Sequence, residues 1–294
     1  MNYKKFLILV VIIVFSFTIV SMGCVKEKNK PIALVNSSGL PLMTVYYVDV
    51  GQGDAEIIQL PSGKTLLIDA GDTGSDEEIG YYLDKLGVTT IDTVIVSHPH
   101  ADHIGGMDKI LNKYHVLNYM ESGYATTAST YEKVIDTVDN KNINYKEVHT
   151  GDILTIDPKV QIMVLNPSER ANDLNDNSVV VRMIYNETSF LFTGDIEKDK
   201  EEEMKGLNHI DILKVAHHGS DSSTFATFIL RIYPSVSIIS VGKDNSYGHP
   251  SIDVIKNLNT ISSMVYRTDQ DGTIIVKTDG NVYNIETTKL NVWH

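Results

Sequence analysis

Residues 93–106 constrain this chain more than any other stretch. Thr93-Val94-Ile95-Val96-Ser97 is a continuous apolar run, the pattern of a strand buried on both faces. Such a strand needs a packed layer above it and another below. It runs directly into Ser97-His98-Pro99-His100-Ala101-Asp102-His103-Ile104-Gly105-Gly106, with a helix expected from near Gly106. Three of the ten histidines therefore fall within six residues, on a strand-to-helix loop where side chains can converge on one point. Neutral imidazoles with a carboxylate form a zinc-type ligand set, with manganese or iron as alternatives. Histidines that simply cap a helix are the plain alternative, which suits one histidine better than three beside an aspartate.

Strand and helix signals interleave along the rest of the chain. Met43 to Val50 is β-branched and aromatic, and Ala55 to Leu60 with Thr65 to Asp69 reads as a hairpin around Pro61-Ser62-Gly63. Further strands are expected at 160–165, 179–185, 190–193, 210–215 and 236–241. Helices fit 77–86, 130–138, 197–205, 224–232 and 252–258, the first stopping at Gly87. With no second linker, residues 42–294 read as one α/β domain. Two more apolar strands end in metal-ligating residue types: Phe190 to Asp195 delivers Asp195, and Ile212 to Ser220 delivers His217 and His218. Alone, Asp195 would read as a helix cap and the histidine pair as structural; beside the first cluster they extend a metal centre.

The N-terminus has a different character. Lys4-Lys5, an apolar run from Phe6 to Val20 and Ser21-Met22-Gly23-Cys24 give the layout of a lipoprotein export signal over residues 1–23. The run is short for a membrane-spanning helix. Cys24 is the only cysteine, so it is the expected lipidation point, and residues 24–41 read as a polar tether. An uncleaved N-terminal anchor is the alternative. The expected location is the outer face of the cell membrane. A single cysteine also excludes a disulfide framework and any zinc site built on several thiolates. A hydrophobic fraction of 42% with scattered aromatics excludes a disordered chain. The net charge is −13; loss of Lys4 and Lys5 with the signal makes the exported part −15, which disfavours a long nonspecific DNA groove.

His98-Pro99-His100-Ala101-Asp102-His103 resembles the signature of the metallo-β-lactamase superfamily of hydrolases. Asp49-Val50-Gly51-Gln52-Gly53-Asp54, Asp69-Ala70-Gly71, Asn177-Ser178, Thr193-Gly194-Asp195, His217-His218-Gly219-Ser220 and Tyr247-Gly248-His249-Pro250 jointly resemble the hydrolase domain of the ComEC competence family. The matches run in order over about residues 44–280. That family's membrane channel and oligonucleotide-binding region have no counterpart here, so the chain resembles the hydrolase domain alone on a lipid tether.

The resemblance implies a four-layer αββα sandwich with one or two zinc ions, or manganese, at one edge. By position, His98 and His100 would hold one metal, Asp102, His103 and His217 a second, and Asp195 would bridge them. A further histidine common in the superfamily is missing, since His115 and His149 do not sit at the expected strand end; water or Asn177 would complete the first site. A metal-activated water would attack the ester, with Asp102 orienting it and His218 or His249 protonating the leaving oxygen. His249 could equally brace the loop beside Pro250. Ser220 and Lys243 are candidates for phosphate contact, Ser220 also for a helix cap. Asp54 and Asp69, near strand ends, are expected to orient histidines.

The resemblance points to a phosphodiesterase acting on extracellular nucleic acid, a short or single-stranded DNA end being compatible with the acidic charge. Another extracellular ester, such as a phosphocholine ester or a lactone, is the alternative. A non-catalytic binding partner in DNA uptake belongs to another class, and the retained ligand residues argue against it. A β-lactam substrate is not implied, because the broad signature serves many hydrolases.

Overall fold

In the computed structural model, residues 39–204 and 206–289 are described, all within the compact unit that begins at Pro31. The export signal and Cys24 lie outside the described residues, as does the tether up to residue 38. Strands β1 (Met43–Tyr47), β2 (Glu56–Gln59) and β3 (Thr65–Ile68) form an antiparallel meander. A short strand, β4 (Thr90–Ile91), precedes β5 (Thr93–Ile95). It pairs with β6 (His115–Val116) in a small separate sheet. Then β7 (Asn118–Glu121) and β8 (Asn144–Glu147) extend the main sheet, with β3, β5, β7 and β8 all parallel.

The second sheet is built from β9 (Val160–Asn166), β10 (Val180–Tyr185), β11 (Thr188–Phe192), β12 (Ile212–Lys214), β13 (Val236–Ile239) and β14 (Met264–Arg267). Its last four strands are parallel. The chain then returns to the first sheet, where β15 (Ile274–Thr278) pairs with β1 and β16 (Tyr283–Thr287) closes the edge. The result is an eight-stranded sheet facing a six-stranded one.

Side-chain alternation explains why the central strands are apolar throughout. Val45, Tyr47, Leu66, Ile68 and Ile95 of the first sheet meet Phe190, Phe192, Ile212 and Ile238 of the second in one buried layer. Their neighbours point the other way. Tyr46, Leu67 and Val94 pack beneath helices α1 (Asp76–Lys85), α3 (Met107–Lys113) and α4 (Ser129–Asn140), which follow α1 with one short helix, α2 (Ala101–Ile104), between. Leu191, Leu213 and Ile239 pack beneath α6 (Ala226–Ile232) and α7 (Ile252–Thr260), which follow α5 (Lys198–Glu203). A last short helix, α8 (Thr268–Asp271), precedes β15. Three apolar layers between four layers of elements make the αββα sandwich that the resemblance implied. Each fully buried large side chain contributes roughly 1.5–3 kcal/mol, so these alternating strands hold the two sheets in register.

Helix positions follow the sequence signals to within a few residues. Helix α1 ends where Gly87 takes φ +70°, a conformation that costs glycine little. Helix α7 begins at Ser251, whose Oγ accepts from Val254 N at 3.2 Å. Parallel strands share a direction, so the loops after β3, β5, β11, β12 and β13 all emerge at one edge of the sandwich, where open α/β sheets place their ligands.

Candidate metal centre

Each strand end contributes a distinct side chain. Asp69 follows β3; Ser97 and His98 follow β5; His100, Asp102 and His103 sit on α2 and at its start; Asp195 follows β11; His217 and His218 follow β12; and His249 closes the loop after β13. Two glycines let these loops approach. A Cβ at Gly53 would lie 2.4 Å from the carbonyl oxygen of Asp102, and one at Gly194 would meet Ser178 and Ser97 at 2.9 Å. Both take positive φ, +142° and +51°, so a side chain there would part the loops that carry Asp102 and Asp195.

The histidines converge on one oxygen. Nε2 of His103, His218, His217 and His98 lies 3.2, 3.6, 3.8 and 3.9 Å from Asp195 Oδ2. Each ring is held from behind through Nδ1. His103 Nδ1 donates to Asp69 Oδ2 at 2.8 Å, and Asp69 is itself fixed by Ser97 N at 2.7 Å and Ser97 Oγ at 2.6 Å. His218 Nδ1 donates to the carbonyl of Ser240 at 3.0 Å and faces Asp54 Oδ1 at 3.3 Å. Lys214 Nζ holds the other Asp54 oxygen at 2.7 Å. His217 Nδ1 faces Glu197 at 3.4 Å and Ser222 at 3.3 Å, and His98 Nδ1 faces Ser97 and Ser178 at 3.1 and 3.3 Å. A ring whose Nδ1 carries the proton presents a lone pair at Nε2.

Lone pairs facing a carboxylate repel unless a positive charge stands between them. His103 Nε2 and Asp195 Oδ1 are buried without a hydrogen-bond partner, and Asp102, His103, Asp195 and His218 offer atoms all within 4.8 Å of one another. Burial disfavours charge here, yet Asp195 is held well below the usual carboxylate range because His103 and His218 outweigh that burial. His103 is pushed well above the ordinary imidazole value, its burial overcome by Asp195 and Asp69. His218 is pushed up to about 10, its burial overcome by Asp195 and Asp54. Protons on these rings therefore stand where a cation would balance the carboxylates. His98 goes the other way, well below the ordinary value, through burial and then His103. It meets His100 Nδ1 at 3.0 Å, as two nitrogens sharing one proton or one cation would. These donors fit a divalent metal.

The expected site residues differ in what they face. His218, expected as a proton donor, completes the cluster with Asp102 and His103, its Nε2 3.3 Å from Asp102 Oδ2. His217, expected there, instead turns its Nδ1 to Glu197 and Ser222 while its Nε2 still faces Asp195. Both residues take left-handed backbone angles, φ 49° and 53°, and both rings turn Nε2 toward Asp195, the His217 side chain being 22% exposed and that of His218 2%. Asn177, expected to complete the first metal site, has its amide committed: its oxygen accepts from Ala171 N, and its nitrogen donates to Ala171 O and Asp173 O. Asn175 was not anticipated, although it opens the Asn175-Asp176-Asn177 run. It lines the pocket with a buried Oδ1 that has no hydrogen-bond partner. Ser220 accepts from Ser222 N at 3.3 Å within a turn, and Lys243 is exposed on the loop after β13. His115 and His149 are exposed, away from the cluster.

A pocket of about 200 Å³ opens over the cluster, lined by Gln52, His100, Asp102, Asn175, Asp195, His217, His218, Tyr247 and His249. That is room for one ester group and its immediate neighbours. Asp102 is the cluster carboxylate nearest solvent, with 32% of its side chain exposed against 3% for Asp195, so it stands between the metal ligands and anything bound in the pocket.

Fold and cluster define a metal-binding αββα protein, and the chain belongs to the metallo-β-lactamase superfamily, whose family model matches residues 48–243. Among curated proteins it is similar to ComE operon protein 3 of Bacillus subtilis (strain 168), with 30% identity over 90% of this chain and 39% of that protein. It is also similar to Recombination protein 2 of Haemophilus influenzae, with 30% identity over 90% of this chain and 32% of that one. The chain thus spans about a third of the length of the curated relatives it matches. These matches bear out the resemblance to competence-protein hydrolase domains. Among solved structures it is similar to CmlA, a diiron β-hydroxylase from Streptomyces venezuelae, with a TM-score of 0.54 and 15% identity over 76% of this chain and 52% of that one. That likeness concerns the fold, which does not fix the reaction.

Proposed function

We propose that this protein is a metal-dependent phosphodiesterase acting on nucleic acid at the outer face of the cell membrane, held there by a lipid on Cys24. The observation that carries the hydrolase reading is the convergence of four imidazole Nε2 atoms on Asp195 Oδ2, each ring braced through Nδ1. His98 and His100 would hold one divalent ion, and Asp102, His103 and His218 a second, with Asp195 between them and His217 beside it. Bound zinc or manganese would supply a water acidic enough to ionise near neutral pH and a charge opposite the phosphoryl oxygens.

The chain's own residues do the rest. Asp69 and Asp54 fix the tautomers of His103 and His218, so both rings keep a lone pair toward the centre. Asp102, at the pocket floor, orients the attacking group. His249 lines the same pocket with a buried Nδ1 that lacks a hydrogen-bond partner. Burial, followed by His217 and His218, holds His249 below the ordinary imidazole value, so it is neutral at pH 7 and would first take up the proton released by the attacking water before passing it to the leaving oxygen.

The similarity to competence and recombination proteins supports nucleic acid as substrate. A second reading, a small extracellular phosphocholine ester or lactone, is favoured by the pocket lining, which among the described residues includes Asp102 and Asp195 but no lysine or arginine. A substrate panel separates the two. Full-length protein in detergent, supplied with zinc or manganese, is given single-stranded DNA, duplex DNA, RNA, phosphocholine esters and lactones. Cleavage of single-stranded ends is expected; turnover of the small esters with every nucleic acid left intact would establish the second reading instead.

A further inference from the structure

The loop after β13 presents an aromatic ring in a way that ordinary packing does not explain. Tyr247 lines the pocket yet is 69% exposed, and its backbone is nevertheless tightly held. The Asn245 side chain uses its whole hydrogen-bonding capacity on this loop. Its nitrogen donates to Gly242 O at 3.0 Å and His249 O at 2.7 Å, and its oxygen accepts from Tyr247 N at 3.1 Å and His249 N at 3.0 Å. Gly248 takes φ +75°, which lets the chain double back. The base of the loop is pinned to the site: Gly242 N donates to Gln52 Oε1 at 3.1 Å, and Ser251 N to Gly219 O at 2.8 Å.

The rings form a ladder. His249 stacks on His218 with centroids 6.5 Å apart and planes 28° apart. Tyr247 stacks on His249 at 5.6 Å and 25°. The stack therefore rises from the metal cluster through the pocket wall to an open tyrosine.

We infer that Tyr247 is a stacking platform for an unpaired nucleobase next to the scissile phosphate, making it a specificity-determining residue. This deepens the phosphodiesterase reading and rests on it. Among the described residues that line the pocket there is no lysine or arginine, so beyond the metal centre itself side-chain contacts to phosphate add little, and further affinity for a nucleotide calls for another source. Stacking on an aromatic side chain supplies it and tolerates any base. A quaternary ammonium would want several ring faces arranged around it, whereas this ladder of near-parallel rings offers a flat end suited to a planar group. A paired base keeps its faces inside the duplex, so single strands and frayed ends are the substrates that this surface selects.

Calorimetric binding to the metal-supplied full-length protein tests the inference without relying on turnover. The probes are thymidine 5′-monophosphate, deoxyribose 5-phosphate and phosphocholine. The wild type is expected to bind the nucleotide about 5- to 100-fold more tightly than the sugar phosphate. Tyr247→Ala should reduce that ratio below about 2, and Tyr247→Phe should retain it, with circular dichroism showing both folded. Equal affinity of the wild type for nucleotide and sugar phosphate overturns the inference. So does phosphocholine binding more tightly than the nucleotide and losing that advantage in Tyr247→Ala. Either result leaves the phosphodiesterase reading to be judged separately by the substrate panel.

Discussion

Asp102 carries the most exposed carboxylate of the cluster, 3.3 Å from His218 Nε2 and part of the pocket wall. Asp102→Ala should lower hydrolysis of bis-p-nitrophenyl phosphate by at least about 100-fold, with the far-ultraviolet circular dichroism unchanged. Turnover at the wild-type rate would remove Asp102 from the mechanism. The 98–103 run was legible in the sequence because its ligands are contiguous and follow a recognisable buried strand. The inward position of His218 beside Asp102 was not legible. Adjacent histidines look alike in a sequence, and here two successive left-handed residues bring both His217 and His218 to face Asp195, which no periodicity rule anticipates. Asn175 and Asn177 pose the same difficulty, because one amide is spent on its own loop and the other is left free. The anchors behind the rings divide in the same way. Asp54 and Asp69 stood out at strand ends and Ser178 within the Asn177-Ser178 motif, whereas Lys214 and the carbonyl of Ser240 gave no signal.

At the scale of elements, strands buried on both faces could be read directly from apolar runs; β5 and β12 lie inside the expected ranges, and β11 begins two residues before its own. Edge strands could not. All four residues of β8, Asn144-Tyr145-Lys146-Glu147, are exposed, so they show no burial pattern. The pairing of β15 with β1 joins residues such as Thr278 and Met43, a partnership that no local signal encodes. Helix α5 contains a further prediction. Glu201 is fully buried and accepts from the backbone N–H groups of Thr224 and Phe225 ahead of α6. Burial, only partly offset by those N–H groups, pushes its pKa up from 4.5 to about 7. An acid whose folded value lies above its unfolded value binds more protons when folded, so its contribution is complete below pH 4.5 and is lost as pH rises toward 7. The loss is roughly 3 kcal/mol at most, at ~1.4 kcal/mol per unit. Urea unfolding between pH 4.5 and 7.5 should show this decline, and Glu201→Gln, though less stable, should flatten it. An identical slope in both proteins would show that Glu201 does not titrate in this range.

At the scale of the whole molecule, charge and anchoring bear on the same question. A net charge of −13 repels polyanions, so the centre depends on bound cations to make its mouth attractive to phosphate. Among the described residues no helix is long and apolar enough to cross a membrane. The attachment proposed above is a lipid on Cys24. Cys24→Ser should release the protein from the membrane fraction, as read by fractionation and immunoblotting; a variant that stays membrane-bound would favour an uncleaved N-terminal anchor. The four-layer arrangement was foreseeable only through the family resemblance that the motifs carry. The substrate was not, because fold and ligand set are shared across many reactions.

The central claim is that the convergent imidazoles and carboxylates hold metal. Elemental analysis by mass spectrometry of the full-length protein, purified without chelator, tests it most directly. One to two equivalents of zinc or manganese per chain are expected, falling to background when His103 and Asp195 are both replaced by alanine. Less than about 0.5 equivalents in the wild type, or the same content in the double variant, would contradict it.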